Sequence, residues 1–122
     1  MATYAGLGDC TDPVVQVAES DLDAADVTVR RVLTNKGIEP ADAGISADGL
    51  ALLRALAVAE ATAAAARRGA ADGGQDSAMW AKQRAYLAEA MRLTQSIDRE
   101  SLGLALVGSG SAGFGSIPLG RG

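Results

Sequence analysis

The 122-residue chain has no histidine, a single cysteine, and only one tryptophan, two tyrosines and one phenylalanine. Each shortage excludes something. Without histidine the chain lacks the commonest zinc ligand and the commonest general base near neutral pH. A lone Cys10 cannot form an internal disulfide, which points to a reducing compartment. Its polar surroundings near the terminus read as a small passive side chain rather than a reactive thiol. With aromatics at 3%, any core must be filled by aliphatic side chains and alanine, which favours close-packed helices over a β-sandwich. The opening MATYAGLGD has neither the basic start nor the apolar body of a signal peptide. No uncharged apolar run reaches the ~18 residues that read as a bilayer span, so no membrane partner is expected. Lys and Arg are missing from the first 26 positions, which carry Asp9, Asp12, Glu19, Asp21, Asp23 and Asp26. With a net charge of −4 the chain has no footprint for gripping nucleic acid, because that affinity comes from neutralising phosphates. A surface past which DNA must slide is a different case, and acidity suits it.

What the chain does have is a stretch from Leu50 to Arg68, LALLRALAVAEATAAAARR, that is apolar on almost every side when wound as a helix. Only Arg54, Glu60, Thr62, Arg67 and Arg68 interrupt it, so neighbours must cover most of its faces. Its alanines combine the highest helix propensity with little bulk, and other helices can approach closely. Ser46 caps its start, with Asp48 near the positive end; Gly49 costs about 1 kcal/mol there. Gly69 ends it. Before it, Asp12-Pro13 predicts a short helix over 13–19, and Ser20 with Asp23 predicts a capped helix over 21–36. Leu22, Ala25, Val29, Val32 and Leu33 recur there at helical spacing, and Gly37, Ile38 and Pro40 supply its stop. After Asp72-Gly73-Gly74, a turn signal, the positions Met79, Tyr86, Ala90, Leu93 and Ile97 form a heptad-like stripe with Gln83 in one polar slot. This predicts a fourth helix over 77–101. Trp80 lies just off that seam and suits either a cover for the preceding turn or a contact between subunits. The expectation is an all-α bundle of three to four helices, about 13–19, 21–36, 47–68 and 77–101, forming a helical domain over 1–101.

Past Glu100 the chain reads as an extended C-terminal tail, 102–122, rich in glycine and without an acid. Leu102, Leu104 and Leu106 alternate as in a half-covered strand, with Val107 after them. Gly108 to Gly113 has linker composition and delivers Phe114, Ile117, Pro118 and Leu119. A solvated tail has little use for such residues, so these eight apolar positions are the expected partner-binding anchors. On that reading, deleting 102–122 leaves the helices folded and abolishes partner binding.

The sequence carries no motif of catalytic or ligand chemistry. GSGSAGFGS lacks the Gly-Lys-Ser/Thr ending of a phosphate loop and leads into no helix. Asp21 and Asp23 are two apart and face different ways on a helix. Asp72 and Asp76 do not match a calcium loop. No catalytic, cofactor or metal residue is expected, and no enzyme. Val27 to Ile38 carries Arg30, Arg31 and Lys36, which suit a solvated basic patch or a contact with an acidic neighbour subunit better than a DNA-recognition helix.

A Met-Ala-Thr-Tyr-Ala opening, a capped short helix, two longer helices joined by a loop, and an extended tail together resemble the head-to-tail adaptor proteins of tailed bacteriophages, also called connector or head-completion proteins. The likeness covers residues 1 to about 101 in layout. It implies a homo-oligomeric ring, usually a dodecamer, beneath the portal protein. Such a ring extends the channel for double-stranded DNA without binding it tightly and offers a platform for tail or nozzle proteins. It implies residence in the virion at the head–tail interface, and in the host cytoplasm during assembly. Trp80, Arg30 and Arg31 are the expected contacts between subunits. The alternatives are a small helical regulatory or nucleic-acid-binding module using Arg30, Arg31 and Lys36, or another structural subunit of a virion or secretion machine.

Overall fold

Among the described residues of the computed structural model three helices form, α1 (Glu19–Asn35), α2 (Ala47–Asp72) and α3 (Ser77–Ser96), preceded by a 3-10 turn at Leu7–Asp9. The structure describes residues 3–42, 44–72 and 77–104, with the backbone alone for Asp72 and Ser77. Among these residues there is no strand. The all-α expectation holds, with α2 as the central element. It packs against both α1 and α3, which do not pack extensively on one another.

The local chemistry explains where each helix begins and ends. Ser46 Oγ accepts from the Gly49 N–H at 3.0 Å, satisfying an otherwise unpaired donor at the start of α2. At the end of α1, Gly37 adopts φ 74°, a left-handed conformation that glycine reaches without a side-chain penalty. The Gly37 and Ile38 N–H groups return to Thr34 and Leu33, and Ile38 is buried beside that turn. The start of α1 differs from expectation. Asp21, not Ser20, closes it: its Oδ2 accepts from the Ala18 N–H at 2.8 Å, and the helix begins two residues early.

The core runs along both sides of α2. Leu22, Val29 and Leu33 of α1 meet Leu53, Leu56, Ala57 and Ala61 of α2, and Ala90 and Leu93 of α3, with Ile97 just past its end, close the other side. Alanines at 57, 59, 61, 63, 65 and 66 are all buried, so the small-residue surface is where neighbours come close. By length and composition α2 could cross a bilayer. Here that apolar surface is largely covered by the rest of the chain.

No helix forms over 13–19. The segment runs in an irregular path and lodges Val15 against Ala65 and Ala66. A helix of that length gains little on its own, and its three valines disfavour the helical rotamers. Docking Val15 on α2 wins instead. The last helix also stops at Ser96, five residues short of expectation. Asp98 and Ser101 then bond reciprocally, Ser101 N–H to Asp98 Oδ1 at 2.7 Å and Asp98 N–H to Ser101 Oγ at 2.9 Å. That separate turn closes on Gly103, φ 74°.

Candidate interaction surfaces

The acids near the N-terminus do not spread over the surface as a uniform repulsive coat. Three of the six are internal clamps. Asp12 Oδ1 accepts from the Val14 and Val15 N–H groups at 2.8 and 3.0 Å. Its Oδ2 accepts from Lys82 Nζ at 2.8 Å and Tyr86 Oη at 2.6 Å. These bonds hold the Asp12 carboxyl far below the usual carboxylate range, first through Lys82 and then Tyr86, and the same carboxylate pushes the Tyr86 hydroxyl up to about 12. Asp21 accepts from Arg68 Nη1 at 2.5 Å, tying α1 to the end of α2, while Arg68 Nη2 reaches the Gln16 carbonyl. Asp26 accepts from the Thr3 and Tyr4 N–H groups and pairs with Arg30 at 3.1 Å. Together they fasten the N-terminal arm across the bundle.

Arg30 is therefore engaged within its own chain, bonded also to Thr3 Oγ1, whereas Arg31 is exposed. Leu102 and Leu104, expected as anchors for a partner, belong to the core. Leu102 is fully buried and Leu104 nearly so, and the Leu102 carbonyl accepts from the Ser46 N–H at 2.9 Å. A Cβ built on Gly49 would lie 2.8 Å from Leu102 Cα, so glycine at that position is what admits this segment. The helical body accordingly extends to Leu104 rather than ending at 101. The remaining anchors, Leu106, Val107, Phe114, Ile117, Pro118 and Leu119, lie outside the described residues, as does the Asp72-Gly73-Gly74 turn beyond Asp72.

Trp80 is 37% exposed, and it is not alone. Leu87 and Met91 are exposed too, Met91 at 63%, and the three follow one another at spacings of seven and four. They form a second stripe on α3, turned away from the buried one by a single residue. Arg84 falls on the same stripe, and Leu87 borders a small groove with Glu60, Ala64 and Arg67 of α2. Burial raises the Glu60 pKa. The opposite side of the α2–α3 pair carries a larger and more apolar groove. A groove of about 340 Å³ lies between Ala51, Arg54, Ala55 and Val58 of α2 and Tyr86 and Glu89 of α3, with Asp9 of the arm at its edge. Arg92 takes both Glu89 oxygens at 2.7 Å. The Trp80, Leu87 and Met91 spacing is legible in the sequence, where Met91 reads as core filler; packing the Met79–Ile97 stripe inward leaves Met91 exposed instead. The Asp12 clamp had no local signal, since Lys82 and Tyr86 are some seventy residues away.

No protein-family model, curated protein or solved structure matches this chain. What the surfaces can do must be argued from their residues. Large apolar side chains aligned on one helix face are a feature of contact surfaces, whereas scattered ones are ordinary. The arrangement offers association chemistry: an apolar ridge, a concave groove and guanidinium groups beside both.

Proposed function

We propose that the chain is a structural subunit of a virion, a ring-forming head-to-tail adaptor that docks on the portal protein, extends the DNA channel and provides the platform for tail or nozzle attachment. The observation that carries this reading is the aligned Trp80–Leu87–Met91 stripe on a small, alanine-packed three-helix body. Such a body has its own core and still presents apolar area for assembly. The layout of the chain, which resembles that family, supplies the specific assembly. The tail beyond Leu104 remains the portal-docking arm, with Leu106, Val107, Phe114, Ile117, Pro118 and Leu119 as anchors. The nucleic-acid-binding alternative draws little support from α1, since Asp26 neutralises Arg30 at 3.1 Å.

The experiment is co-sedimentation of the full chain and of a chain ending at Leu104 with the cognate portal protein. The full chain is expected to pellet with the portal, and the shortened chain to keep its helical circular dichroism but stay in solution. Equal pelleting of both, or of neither, defeats the proposal.

A further inference from the structure

We infer that the α3 ridge of one copy packs into the α2–α3 groove of the next copy, joining identical chains head to tail. This rests on the structural-subunit reading and names the partner of that surface as a second copy of this chain. The ridge and the 340 Å³ groove lie on different sides of the same helix pair, each with apolar area. Their charges also match. Arg67 and Arg84 flank the ridge without an ion-pair partner among the described residues, and Asp9 at the groove edge has none either. Glu60 on the ridge side and Arg54 in the groove are unpaired in the same sense and opposite in sign. A neighbour's Arg54 near Glu60 would favour the ionised carboxylate that burial now disfavours.

Other pairings fit worse. Ridge against ridge brings Arg84 and Arg67 towards their own copies and leaves the groove unfilled. Groove against groove leaves Trp80, Leu87 and Met91 in water. A contact between two unlike surfaces is heterologous, and repeating it closes a ring or continues as a filament according to the rotation per copy.

Cross-linking of the full chain tests this. Two variants are made on a Cys10→Ser background, Met91→Cys on the ridge and Ala55→Cys in the groove, both at exposed positions. Each is checked for parental circular dichroism, then treated with a short bismaleimide, alone and mixed. The expected result is a cross-linked dimer in the mixture well above that in either variant alone, weakened by Arg84→Glu and restored when Asp9→Lys is placed on the groove-bearing partner. Dimers of the Met91→Cys chain alone, or equal yields in all three reactions, overturn the inference. Portal co-sedimentation is scored separately. A ridge-to-groove cross-link in a chain that ignores the portal leaves this contact standing while the adaptor reading fails. Portal binding with no such cross-link does the reverse.

Discussion

Asp12 is the residue on which most of the N-terminal arm depends. Its carboxylate accepts four hydrogen bonds, two from its own segment and two from α3, and its side chain is 5% exposed. Removing it leaves Lys82 and Tyr86 without that partner, although Lys82 is partly exposed and can regain water. Asp12→Ala is expected to destabilise the chain by about 2–3 kcal/mol in urea unfolding. The depressed Asp12 pKa makes its contribution pH-dependent. It is fully present above the unfolded carboxylate value, about 4, and is lost progressively as pH falls below that. Tyr86 works at the other end, because its pKa is raised in the folded state. Its share is present below about pH 10 and is lost as pH rises towards about 12. Thermal melts should therefore show an acid limb that flattens in Asp12→Ala and an alkaline limb that flattens in Tyr86→Phe. Glu60 has the opposite sign to Asp12. Burial penalises its ionised form, the penalty is full above its raised pKa, and it is relieved as pH falls through that value. Glu60→Gln should melt above the parent at neutral pH, and a lower melting point would show that Glu60 is stabilised by a partner.

At the scale of elements, the join between the start of α2 and the turn at 98–103 is the tightest junction. Alanine is normally the better helix residue by up to ~1 kcal/mol, so Gly49→Ala would stabilise an isolated α2. In the folded chain its Cβ would press on the Leu102 backbone at 2.8 Å and on the Ile45 side chain at 3.0 Å. Backbone cannot rotate away, so the substitution is expected to destabilise by about 1–3 kcal/mol. Denaturant midpoints of the two chains decide the sign. The buried alanines along α2 follow the same logic from the other direction: they permit α1, α3 and the Val15 segment to approach, and each leaves little room for a larger residue.

For the whole molecule, the placement of Leu102 divides two truncations that the sequence treats alike. A chain ending at Leu104 keeps the core and the Ser46–Leu102 hydrogen bond intact. A chain ending at Ser101 loses the buried Leu102 and exposes the apolar side of α2 that it covers. Loss of such a side chain typically costs 2–5 kcal/mol, a large part of the stability of a domain this size. The first truncation should melt within a few degrees of the parent and the second far below it. Similar melting of both would remove Leu102 from the core. Binding experiments that delete the tail from 102 would confuse unfolding with loss of docking, so the cut belongs after Leu104.

Much of the architecture could be read directly from the chain. The alanine-rich stretch implied a covered central helix, Ser46 and Gly37 marked real boundaries, and the Ala90 and Leu93 spacing identified the inner face of α3. These features depend on residues a few positions apart, where propensity, capping and periodicity act. The absence of a helix over 13–19, the use of three N-terminal acids as clamps and the burial of Leu102 depend on partners distant in sequence. Asp12 meets Tyr86 across 74 positions and Arg68 meets Asp21 across 47, and no local pattern encodes either meeting. Local chemistry determined the three long helices. Only their packing decided which charges point inward, where the folded body ends and which apolar stripe is left facing out.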